Sequence, residues 1–85
     1  KGILGEIFPN PAKTTANVPL SLPSDGRVKL VIYDMTGKIM NLVFEGFLPA
    51  GQHTIQIHMD HLSPGIYLFK IESHGYSETK KMLVQ

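Results

Sequence analysis

Gln52-His53-Thr54-Ile55-Gln56-Ile57-His58-Met59-Asp60 alternates along its whole length. His53, Ile55, Ile57 and Met59 occupy the odd positions, and Gln52, Thr54, Gln56, His58 and Asp60 the even ones. Side chains of an extended chain point to opposite faces in turn, so this segment predicts a strand with one face buried and the other in water. Working outward from it, Ala16, Val18, Leu20 and Leu22 alternate in the same way with Thr15, Asn17, Pro19 and Ser21. Pro19 has no N–H to give to a ladder, which places that strand at a sheet edge. Arg27 to Asp34 and Ile66 to Glu72 carry apolar residues at both parities, Leu30, Val31 and Ile32 in one and Tyr67, Leu68 and Phe69 in the other. That pattern predicts central strands covered at least in part on both faces.

Turn-forming residues punctuate the chain at Pro9-Asn10-Pro11, Pro23-Ser24-Asp25-Gly26, Asp34-Met35-Thr36-Gly37, Pro49-Ala50-Gly51, Ser63-Pro64-Gly65 and His74-Gly75. Between them lie about seven short apolar segments starting near residues 3, 15, 27, 38, 52, 66 and 76, a spacing that predicts an all-β antiparallel sandwich. His74-Gly75 reads as a two-residue hairpin, because turns that match strand twist need positive φ. Asp34 to Gly37 reads as a type I turn closed by a left-handed glycine. Lys38 to Phe47 is the ambiguous stretch. Met40, Val43, Phe44 and Phe47 also fit a short helical stripe with Thr36 as its cap, but a lone ten-residue helix among strands is marginal, so a strand is expected.

Eighty-five residues, 42% of them hydrophobic, suffice for one domain and one core. They are few for a self-contained enzyme. Eight basic side chains against seven acidic ones leave a net charge of +1, which gathers neither nucleic acid nor anionic lipid. The longest apolar runs, Leu30 to Tyr33 and Ile66 to Phe69, are too short for a spanning helix, so no direct membrane insertion is expected. Cysteine is absent, which excludes disulfides, thiolate metal sites and a thiol nucleophile. The chain starts at Lys1 without a signal peptide and is expected to be a piece of a longer protein.

Few residues invite chemistry. His58 and Asp60 share a strand face, but His53 belongs to the apolar face, His61 to the strand exit and His74 to a turn, so a solvated polar rim is expected and no metal site. The seven carboxylates are scattered, with Asp25 and Asp34 already in turn roles, and no catalytic pair or triad is legible. Gly2 and Gly5 form no nucleotide loop, and no cofactor is expected. Tyr33, Phe44, Phe47, Tyr67 and Phe69 are expected chiefly as core rather than as a stacking platform for sugars or bases. Lys80-Lys81 is either a basic handle for a partner or an edge strand's protection against sheet-to-sheet association. Tyr67, just after Ser63-Pro64-Gly65, fits a tyrosine corner, in which the phenol bonds the upstream backbone and fixes a crossing between sheets.

Five motifs now stand in order: Phe8-Pro9-Asn10-Pro11; Val28 to Lys38, ending Tyr33-Asp34-Met35-Thr36-Gly37-Lys38; Leu48-Pro49-Ala50-Gly51-Gln52-His53; Leu62-Ser63-Pro64-Gly65-Ile66-Tyr67; and Glu78-Thr79-Lys80-Lys81-Met82-Leu83-Val84. Together they closely resemble the type A C-terminal sorting domain of the type IX (Por) secretion system of Bacteroidetes, over nearly the whole chain from about Ile7. The resemblance implies an immunoglobulin-like sandwich of about seven strands over residues 7–85, with residues 1–6 as linker or cleavage region. It also implies a non-catalytic address label with a cargo protein in cis. That cargo would pass through the periplasm and an outer-membrane translocon, after which a sortase-like surface peptidase removes the domain and the cargo ends at the cell surface or secreted. On the matching motifs, Pro9, Asn10, Pro11, Gly65 and Tyr67 are expected to serve folding, Pro9 and Pro11 by keeping the opening segment extended. Lys80, Lys81, Met82, Leu83 and Val84 are the expected recognition residues, because a partner can extend an exposed sheet edge. Two alternatives stay open. One is a non-catalytic extracellular binding or accessory module for a carbohydrate or protein ligand, which an exposed coplanar set of aromatics would favour. The other concerns association, a strand-swapped dimer of the isolated domain.

Overall fold

A computed structural model describes residues 3–85. Lys1 and Gly2, which fall in the expected linker or cleavage region, lie outside the described residues. The described chain is all-β. Six strands follow in order, β1 (Thr15–Leu22), β2 (Gly26–Asp34), β3 (Ile39–Leu48), β4 (Gly51–His58), β5 (Gly65–Ser73) and β6 (Tyr76–Val84). They form two antiparallel sheets, one of β1 and β4 and the other in the order β3-β2-β5-β6.

Six strands stand where about seven were expected, and the difference lies at the N-terminal end. Residues 3–8 do run beside β1: Ser21 N–H donates to Ile3 O (2.8 Å), Gly5 N–H to Pro19 O (2.8 Å), and Phe8 and Asn17 exchange both bonds (3.1 and 2.7 Å). Leu4 opposes Leu20, however, and Phe8 opposes Asn17, so four steps along this segment match three along β1. The extra residue breaks the ladder into isolated bridges. The seventh ribbon is present as a bulged and interrupted one.

That arrangement also accounts for Pro19. Its carbonyl faces Gly5, and in an antiparallel ladder the N–H and C=O of one residue point the same way. The missing N–H therefore faces the broken segment, and the pairing of β1 with β4 loses nothing.

The two sheets close on a single core. Ala16, Val18, Leu20 and Leu22 of β1 meet Val28, Leu30 and Ile32 of β2, Tyr67, Phe69 and Ile71 of β5, and Met82 and Val84 of β6, all buried. Ile57 and Met59 close it from the β4 side, while Ile3, Leu4 and Ile7 close it from the broken segment. β2 and β5 are the two middle strands of the larger sheet, as expected. Double-sided burial holds only in part. Val31 is 4% exposed, whereas Ile66 on the same outer face of β5 is 46% exposed, because no further layer covers that face among the described residues.

β3 is a strand, and its helix-like spacing has a physical cause. Leu30 opposes Phe44 but Val31 opposes Leu42, and Ile32 opposes Asn41 but Tyr33 opposes Ile39. Val43 and Met40 are thus single extra residues, two β-bulges that break the period of two, and both side chains pack on the core. Thr36 caps no helix. It sits in the β2–β3 turn, where its N–H (2.9 Å), its hydroxyl (2.6 Å) and the Lys38 N–H (3.0 Å) all donate to Asp34 Oδ1. The β5–β6 hairpin turns on His74 and Gly75 at φ 55° and 71°, the two positive angles that its length demands.

Candidate functional site

The expected recognition residues all lie on β6, whose register is set by the His74-Gly75 turn, with Ser73 opposite Tyr76 and Gly65 opposite Val84. Alternation then divides them. Met82 and Val84 point into the core, 1% and 2% exposed. Lys81 and Leu83 point to the outer face of the sheet and are exposed, beside Leu68 and Ile66 of β5 respectively. Lys80 shares the inner parity of Met82, is half-buried, and reaches Glu6 at 3.3 Å. Adjacent in sequence, Lys80 and Lys81 face opposite sides of the sheet.

β6 is also an edge strand, but its rim is not free throughout. Ala12 N–H donates to Leu83 O (2.9 Å), Gln85 N–H donates to Ala12 O (2.8 Å), and Leu83 N–H donates to Asn10 Oδ1 (3.3 Å). Ala12 therefore forms a parallel bridge with Val84. Lower on the strand, Ile3 N–H (2.7 Å) and Leu4 N–H (2.9 Å) both donate to Glu78 Oε1. The first residues of the domain are tied to the last strand at both its ends.

This placement corrects the expected role of Pro9 and Pro11. The stretch from Pro9 to Pro11 is bent, not extended, and the Phe8–Pro9 and Asn10–Pro11 peptides are cis. It cannot run straight, because between Phe8, bonded to β1, and Ala12, bonded to β6, the chain passes from one sheet to the other. Asn10, placed by the same bend, supplies the acceptor for Leu83.

Tyr67 lies where the chain crosses back. Its hydroxyl donates to Ser63 O at 2.6 Å, across the connection that leads from β4 in one sheet to β5 in the other. Gly65 opens β5 two residues before it.

The remaining candidates do not converge. His58 and Asp60 are exposed, and no three His, Cys, Asp or Glu side chains gather as a metal site among the described residues. Tyr67 and Phe69 are buried and Tyr33 and Phe44 are half-buried, leaving Phe47 at 69% exposed. Phe47 pairs with Arg27 and lies under its guanidinium at 6.0 Å. Tyr33 is six residues further along β2, roughly 20 Å away at strand rise. Of the five expected aromatics, the two that face outward, Tyr33 and Phe47, are too far apart to form one stacking platform, and Phe8 and Tyr76 are exposed besides, at 51% and 45%.

Glu6 and Glu78 were not anticipated as anchors. The available signal was parity, since Glu78 and Lys80 share the face of Met82 and Val84, and a charged residue on a buried face calls for a polar partner.

The model of the family described as secretion system C-terminal sorting domain (Por_Secre_tail) matches residues 6–85. No curated protein matches the chain.

Proposed function

Since the chain belongs to the secretion system C-terminal sorting domain family, and is thereby a sorting signal for type IX export of a cargo in cis to the cell surface or medium, we propose that β6 is the strand the export apparatus reads. The observation that carries this reading is the division of labour on β6. Met82 and Val84 hold the strand in the core while Lys81 and Leu83 are exposed, and on this edge the outward backbone groups of Ser77 to Lys81 take no backbone partner among the described residues. An edge strand offers unpaired N–H and C=O groups for strand addition, and alternate side chains give the addition its selectivity. In this reading the domain has no turnover of its own. It passes the periplasm with its cargo, is taken by the outer-membrane translocon, and is then removed by a sortase-like peptidase upstream of the packed domain.

The test fuses the 85 residues to a periplasmic reporter in a bacterium that has the type IX apparatus. Export of the reporter is expected, and retention in the periplasm overturns the sorting reading. Deleting Lys80 to Gln85 is a poor probe of the strand, because it removes Met82 and Val84 from the core. Lys81→Glu with Leu83→Ser alters only exposed side chains. That variant is expected to keep its melting profile and lose most export, and undiminished export excludes β6 as the strand that is read.

A further inference from the structure

The rim of β6 already has an occupant, and it is part of this chain. Residues 9–13 leave the β1 side at Phe8, cross to β6, and return to the other sheet at Thr14, whose carbonyl accepts from Met59 N–H at 2.7 Å. Between these fixed ends the segment is held by three hydrogen bonds to Leu83 and Gln85 and by the methyl of Ala12, 0% exposed. Pro9, Asn10, Pro11 and Lys13 are exposed. The apolar anchors of the N-terminal region, Ile3, Leu4 and Ile7, lie outside this clip. Lifting it takes only the Ala12 methyl out of the core cluster.

We propose that the Pro9–Lys13 clip is a displaceable guard on the β6 rim, and that an extended polypeptide strand of the export machinery takes its place, pairing parallel to β6 across Leu83 and Gln85. The proposal rests on β6 being the strand that is read. The occupant is identified by what the clip does, since Ala12 is a one-residue parallel strand addition at the position it guards. The clip bonds outward groups of only Leu83 and Gln85. By alternation Ser77, Thr79 and Lys81 present their backbone groups in the same direction, so an incoming strand that follows the whole rim makes more bonds than it displaces. A guard of this kind also shields the Leu83 to Gln85 end of the rim from edge-to-edge association before export.

Two measurements test it. In the isolated 85-residue chain, Asn10→Ala is expected to speed amide exchange at Leu83 and Gln85 by about tenfold, the loss of roughly one net hydrogen bond, while Phe69 and Ile71 stay protected. Unchanged protection at both positions overturns the clip. In the reporter fusion, Ala12→Cys and Val84→Cys together place two thiols on a bridged pair, where strands lie about 4.8 Å apart and a disulfide fits. With no other cysteine in the chain, that bond alone locks the clip. Export of the double variant is compared with its disulfide reduced and formed: the oxidised form is expected to be retained in the periplasm although its isolated domain melts cooperatively, and the reduced form to be exported at least several-fold better. Export of the double variant with its disulfide formed overturns the proposal. Retention of the unmodified fusion instead defeats the sorting reading itself, so the two failures are distinguishable.

Discussion

Tyr67 fixes the crossing from β4 to β5 through one phenol hydrogen bond, and the rest of its ring is packed, 6% exposed. Tyr67→Phe keeps the packing and removes only the donor, leaving Ser63 O to find water at a half-buried site. The expected cost is about 1 to 2 kcal/mol in urea denaturation, with the slope unchanged. A difference near zero would mean that the corner is ornamental. Asp34, the last residue of β2, lies opposite Tyr67 in the ladder, and its sign can be followed in acid. The Thr36 hydroxyl, then the Lys38 and Thr36 amides, all bond its carboxylate and hold its pKa below the usual 3.8. A depressed carboxylate contributes to the fold above its unfolded value and loses that contribution as the pH falls through its folded one. The β2–β3 turn is therefore expected to stay closed at neutral and mildly acidic pH and to open only below 3.8. Proton titration of the Thr36 and Lys38 amides reads this directly, and a midpoint at or above 3.8 contradicts it.

The elements differ in how openly the chain announces them. β1 and β4 alternate without interruption, and the turns at Asp34 to Gly37 and at His74-Gly75 carry their own chemistry, so strands and hairpins alike were readable from local pattern. β3 reads ambiguously and the seventh ribbon reads as continuous when it is broken, for one shared reason. A bulge inserts one residue, and a period of two cannot be seen across it. The candidate site was legible as a strand but not as a surface. That Lys80 and Lys81 part company follows from alternation alone, whereas the covering of Leu83 by Asn10 depends on two positions 73 residues apart meeting in space. The bulges make an unusual prediction. Leu30 already opposes Phe44 and Val31 already opposes Leu42, so deleting Val43 preserves every pairing on both sides. The shortened β3 is expected to fold and unfold cooperatively, at a loss of about 1 to 2 kcal/mol for one partly buried valine. Deleting Lys70, in a ladder without bulges, forces a one-residue slip that turns either Phe69 or Ile71 out of the core. That variant is expected not to fold, and equal tolerance of the two deletions would refute the assigned register.

At the scale of the molecule, the question is where the packed unit begins. Ile3, Leu4 and Ile7 are 7%, 3% and 6% exposed and belong to the same cluster as Phe69 and Val84. Each buried side chain of this kind contributes about 1.5 to 3 kcal/mol, so the three together approach the whole net stability of a domain this size, about 4 to 13 kcal/mol. Their removal also strips Glu78 of both its donors and Lys80 of Glu6. A chain beginning at Ile3 is thus expected to melt cooperatively near the temperature of the 85-residue chain, and one beginning at Phe8 to be largely unfolded at 25 °C. Circular dichroism on the two truncations decides between them, and an unchanged midpoint for the Phe8 chain would show that the N-terminal segment lies on the core without supporting it. The outcome constrains processing as well. A peptidase that cuts upstream of Ile3 releases a folded domain, whereas one that cuts between Ile3 and Ile7 releases a chain that has lost part of its core and the partners of Glu78.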